Sequence, residues 1–140
     1  MKGRIVLIDD EVKLLQALKK ALEIEGYEVF DFSDPQKGYE FIGAREIDLV
    51  ISDIRMSGIS GIELLGRIRK IKPDLPCILM TAYSSVETAV TAIKLGARDY
   101  LLKPFELSEF KQAVKQVFTA RASAQKTSVP SKTIIGNSEP

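Results

Sequence analysis

Short unbroken apolar runs alternate along the chain with longer stretches in which apolar positions recur every three to four residues. Arg4–Ile8 (RIVLI) is apolar without alternation, which predicts a strand covered on both faces. Val12, Leu15, Leu18 and Leu22 then fall at helical spacing, and Gly26 ends the run. In Tyr27–Phe32 (YEVFDF) acids alternate with Val29 and aromatics, the pattern of an edge strand. Ser33 or Asp34 caps the next helix, with Pro35 in its first turn. Asp48–Asp53 (DLVISD) predicts a third strand, followed by the loop MSGISG, the helix IELLGRIRKI and the turn KPDLP. Cys77–Tyr83 (CILMTAY) reads as the fourth strand, and SSVETAVTAIKLGA as a helix capped by Ser84 or Ser85 and ended by Gly96. DYLLKPF makes the fifth strand, ending at Lys103–Pro104 before the last helix, ELSEFKQAVKQVF.

Five strands alternating with five helices imply parallel βαβ units in a three-layer α/β sandwich. After about Thr119 the residues turn small and polar (TARASAQKTSVPSKT), with too little apolar surface to fold on. A brief apolar return, IIGNSEP, follows. The expected organisation is a folded domain over residues 1–120, a flexible linker over 121–133 and a stub of a following domain over 134–140.

Composition changes this picture mainly by exclusion. With 140 residues, 45% of them hydrophobic, the chain is large enough for one well-packed domain. A formal net charge of +1 gives no general attraction to nucleic acid or anionic lipid. No apolar run approaches the roughly 20 residues of a membrane span, and the N-terminal run is too short for a signal peptide, so a cytoplasmic protein with no membrane contact is expected. The chain has no histidine, which removes histidine-dependent triads and histidine-ligated metals and leaves only hard cations held by oxygen. The single Cys77, inside CILM, allows no intrachain disulfide and reads as a small core residue.

The polar residues collect at strand ends. In an open parallel sheet, ligands bind beyond the carboxyl ends of the strands, where strand order reverses. Strand one ends in Asp9 and Asp10, strand three in Asp53, strand four in Thr81 and strand five in Lys103. A strand order 2-1-3-4-5 would bring the three aspartates to one spot, flanked by Thr81 and Lys103. Three carboxylates so close repel strongly, and a divalent cation of the magnesium class removes the repulsion. Singly, each residue has a plainer reading: Asp9 and Asp10 as helix caps, Asp53 as a turn residue, Thr81 as a capping hydroxyl, Lys103 as a surface lysine. Four strand ends of one sheet needing these types independently is what favours a site.

LIDDE, VISDIRMSGISGIELL, ILMTAY and GARDYLLKPF resemble, in order, the signature segments of the response-regulator receiver family, over about Gly3–Phe118. The resemblance implies a flavodoxin-like (βα)5 fold with a five-stranded parallel sheet in the order 2-1-3-4-5. It implies a phosphorylation-dependent signalling switch rather than an enzyme in its own right. Asp53 would be the phosphoacceptor for a phosphoryl group from a sensor histidine kinase, which supplies the missing histidine. Asp9, Asp10 and Asp53, with the backbone carbonyl of Arg55, would hold Mg2+, or Mn2+ in its place. Lys103 would pair with the carboxylate and then with phosphoryl oxygens. Thr81 would hydrogen-bond the phosphoryl group and Tyr100 would be the aromatic switch, rotating into space that Thr81 leaves. The Lys103–Pro104 peptide would be cis, and a homodimer is expected.

The chain departs from the family pattern at Ser57, where proline is usual, and at Ser60, where an aspartate is common; neither change removes a group the chemistry uses. Arg55 and Tyr83, bulky and two residues beyond Asp53 and Thr81, are expected to border the path of an attacking water and slow hydrolysis of the phosphorylated form. IIGNSEP resembles the start of the ATPase module of NtrC-type activators of sigma-54 RNA polymerase. With no Walker A loop and no DNA-binding element, this chain would neither hydrolyse ATP nor contact nucleic acid, and the output domain would be missing from it. Three other readings compete. A flavodoxin-type carrier would need a phosphate cradle where the acids lie. An aspartyl-nucleophile phosphatase would need a D-x-D pattern, and Asp53 is followed by Ile54 and Arg55. A degenerate receiver acting as an unphosphorylated dimerisation module would have lost an acid, the threonine or the lysine.

Overall fold

Every strand predicted from an apolar run forms, and all lie in one parallel sheet. The computed structural model describes residues 3–82 and 85–126. Its elements are β1 (Arg4–Ile8), α1 (Val12–Ile24), β2 (Glu28–Phe32), α2 (Pro35–Ala44), β3 (Leu49–Asp53), α3 (Gly61–Ile71), β4 (Cys77–Thr81), α4 (Val86–Lys94), β5 (Asp99–Leu102) and α5 (Leu107–Lys126). Strand order is β2-β1-β3-β4-β5, so β1 and β3 are central neighbours and β2 is an edge. Tyr83, most of the expected linker and the IIGNSEP segment lie outside the described residues.

The unbroken apolar runs follow from having helices on both faces of the sheet. Side chains of a strand alternate between faces, so Ile5 and Leu7 of β1 pack with Leu15, Leu18 and Leu22 of α1 and with Phe110 and Val114 of α5. Val6 and Ile8 point the other way, to Ile42 of α2, Leu64, Leu65 and Ile68 of α3 and Ala92 of α4. Each fully buried aliphatic side chain contributes roughly 1.5–3 kcal/mol, so these two layers carry most of the stability. Cys77 belongs to the second layer; burial pushes its thiol up to about 11, an inert core group.

Helix starts follow their caps. Asp34 accepts a hydrogen bond from the Gln36 N–H at 3.0 Å, with Pro35 opening α2. Ser60 accepts from the Glu63 N–H at 3.1 Å and Ser85 from the Thr88 N–H at 3.0 Å. Ser60 therefore does at α3 what an aspartate there would do. Gly26, at φ 101°, makes the left-handed turn between α1 and β2. Gly61 lets α3 begin against the end of β3: a Cβ there would lie 2.7 Å from Ile54 Cα. At the other end, α5 continues past residue 120 to Lys126, into the span expected to be linker, where Ala, Arg, Gln and Lys are all good helix formers.

Candidate metal and acceptor site

Parallel register fixes which residues reach the rim together. Ile8 pairs with Ser52, Asp53 with Met80, Met80 with Leu101 and Thr81 with Leu102. The residue after Ile8 is Asp9, so Asp9 and Asp53 finish their strands at the same level on neighbouring strands. Asp10 follows on the exposed turn into α1. Asp9, Asp10 and Asp53 each offer a carboxylate oxygen within 4.8 Å of the others. Asp9 is fully buried and Asp53 is 6% exposed, unusual for carboxylates without partners.

Lys103 is that partner. Its ammonium donates to Asp9 Oδ2 at 2.8 Å, Asp53 Oδ2 at 3.0 Å and Glu11 Oε1 at 3.1 Å. The chain brings it there through the cis Lys103–Pro104 peptide and the bond from the Lys103 N–H to the Thr81 carbonyl, 2.9 Å. Burial would push the Lys103 pKa down, but the hydrogen bonds to Asp9, Asp53 and Glu11 outweigh it and hold the ammonium above the ordinary lysine range. Burial lifts the Asp9 carboxyl above the usual range; the bonds from Lys103 and the Glu11 N–H oppose this, while the neighbouring Asp53 charge adds to it.

Two backbone N–H groups of the β3–α3 loop complete the arrangement. Arg55 N–H points to Asp53 Oδ1 at 3.4 Å, and Ser57 N–H donates to Asp10 Oδ2 at 3.2 Å. A proline at 57 would have no such donor. Thr81 is fully buried at the end of β4. The Arg55 side chain is exposed. Tyr100 packs its ring on the α2–α3–α4 layer, and its hydroxyl is buried without a hydrogen-bond partner among the described residues.

The donor set suits a hard divalent cation. All three cluster ligands are oxygens, Asp10 is open to water, and one ammonium faces the three carboxylates it touches. Mg2+ keeps several waters and needs only one or two protein carboxylates, which the exposed side of this cluster permits. The helix-capping reading of Asp9 and Asp10 is only partly met: Glu11 is the N-cap of α1 and makes no side-chain cap bond, while Asp9 Oδ1 accepts from the Glu11 N–H at 2.9 Å. Sequence reasoning assigned no part to Glu11 or to the Ser57 N–H. Adjacency to Asp10 was the available signal for Glu11; a backbone donor carries none.

Residues 5–115 match the family described as the response regulator receiver domain. Response regulator protein FleR of Pseudomonas aeruginosa is 41% identical over 106 residues, covering 76% of this chain and 22% of FleR. Among solved structures, the beryllofluoride-activated NtrC4 receiver domain dimer matches with TM-score 0.81 and 32% identity, over 86% of this chain and 98% of that one. TrrA of Thermotoga maritima, in complex with Mg2+ and BeF, matches with TM-score 0.75 and 38% identity, over 82% of this chain and 98% of TrrA. The chain spans half or less of the length of the curated relatives it matches.

Proposed function

The chain belongs to the response-regulator receiver family, and from that membership we propose that it accepts a phosphoryl group on Asp53 and so switches an output domain carried elsewhere in the protein. The observation that carries this reading is Lys103 bridging Asp53 and Asp9 beside a third acid, Asp10. A carboxylate oxygen of Asp53 attacks phosphorus and forms the new O–P bond. The donor's P–N bond, in a kinase phosphohistidine, breaks with its electron pair leaving on the imidazole, which then takes a proton from solvent. Lys103, paired with the Asp53 carboxylate, goes on to pair with the phosphoryl oxygens and offsets the charge that makes this attack unfavourable.

Asp9, Asp10, Asp53 and the Arg55 carbonyl are the groups that would hold Mg2+ or Mn2+, which would supply positive charge to offset the negative charge of the acceptor and the phosphoryl group. Thr81 donates to the phosphoryl group by moving inward. Tyr100 responds, and its buried hydroxyl, without a partner among the described residues, supports that role, because such a group costs about 1–3 kcal/mol that another arrangement can recover. Arg55, with Tyr83, screens the acyl phosphate from water. The partners are a sensor histidine kinase, a second copy of the chain and, by similarity to NtrC-type receivers, a sigma-54-type ATPase and DNA-binding output. The setting is cytoplasmic; among the described residues no helix is long and apolar enough to cross a membrane.

Acetyl phosphate and Mg2+ should add one phosphoryl mass to the wild-type chain and none to Asp53→Asn. Equal gain in both, or no gain in the wild type, sinks the assignment. Followed in time, the adduct should decay faster in Arg55→Asn with Tyr83→Ala; unchanged decay removes the screening role.

A further inference from the structure

Glu11 has no part in the scheme above, yet it touches the one cation at its centre. It sits at the N-cap of α1, where short polar side chains usually bond the helix N–H groups, and it makes no such bond. Its carboxylate goes instead to the Lys103 ammonium, at 3.1 Å. An ammonium has three N–H donors, and Asp9, Asp53 and Glu11 take one each. Two of these partners are buried; the Glu11 side chain is 66% exposed and lies outside the three-acid cluster. A phosphoryl oxygen that needs Lys103 can most readily take the donor held by Glu11, because that carboxylate regains water when released.

We propose that Glu11 is a positioning residue that gates phosphoryl acceptance by charge: it holds the third Lys103 N–H in place and opposes approach of a doubly negative donor. This rests on Asp53 accepting a phosphoryl group. The gate follows from geometry, since this exposed charge touches the same ammonium that touches the acceptor Asp53. Glu11→Gln keeps an acceptor oxygen at the same reach and removes the charge. Glu11→Ala removes both.

The test measures Asp53 acyl-phosphate formation in Mg2+ with acetyl phosphate, doubly negative at neutral pH, and with phosphoramidate, which carries one negative charge less. Glu11→Gln should accelerate the reaction with acetyl phosphate roughly two- to fivefold, as befits one partly exposed charge, and with phosphoramidate by a smaller factor. Raising the salt concentration should shrink the gain. Glu11→Ala should retain the difference between donors. Equal acceleration with both donors, or none with acetyl phosphate, overturns the gate while leaving acceptance on Asp53 intact. Absence of any Asp53-dependent product in the wild-type chain overturns both.

Discussion

At the scale of single residues, Lys103 decides whether the buried acids are tolerable. Removing a partner from a buried ion pair costs about 3–5 kcal/mol, because the remaining charge has neither water nor counterion. Lys103→Met should lose about that much in urea unfolding at pH 7. The raised Lys103 pKa means that its contribution is fully present below the ordinary lysine value, about 10.4, and fades as pH rises through the higher folded value. The raised Asp9 pKa acts in the same sense, favouring folding below the ordinary aspartate value and losing that advantage as pH rises through the folded one. The wild-type advantage over Lys103→Met should therefore be held at neutral pH and shrink as pH rises into the alkaline range; a gap unchanged in alkali would refute this. The carboxylates and Lys103 were legible in the sequence because charged residues ending apolar strands demand a reason. The Ser57 N–H on Asp10 was not, because any residue but proline offers the same donor.

At the scale of elements, α4 is the helix least committed to the core. Ala92 is its one buried residue, while Val86 is 83% and Ile93 69% exposed. Its fastening is at the C-terminal end, where Arg69 of α3 donates to the carbonyls of Leu95 at 2.9 Å and Gly96 at 3.0 Å, and to Leu75 before β4 at 2.7 Å. The bond to Leu95 satisfies a carbonyl that the end of α4 leaves open, and the other two tie the turn after α4 to the turn before β4. Arg69→Met should cost about 2–3 kcal/mol in urea unfolding and speed amide exchange in α4 more than in α1; uniform exchange across both helices would refute a local fastening. Apolar periodicity and capping residues made the helices legible. The role of Arg69 was not legible, since its partners are backbone carbonyls with no residue signature.

At the scale of the whole molecule, one sheet gathers charge from segments distant in sequence, and the fold bears the repulsion. A ligand that binds only the folded state stabilises it by about 2.7 kcal/mol at a hundred times its dissociation constant. Mg2+ should therefore raise Tm over EDTA, and Asp10→Asn should raise the ion-free Tm and abolish the response to Mg2+. A Mg2+ response surviving in Asp10→Asn would move the cation elsewhere. Alternating apolar and helical segments were enough to read a parallel α/β sandwich. Strand order was not readable from periodicity and came from resemblance, because register and neighbour choice depend on packing between segments far apart. The fastening of α4 has a mechanical consequence at this scale. With Arg69 as fulcrum near Gly96, a small push at the rim beside Val86 would swing the whole rod, so that the proposed phosphorylation of Asp53 would change an outline that another protein can feel.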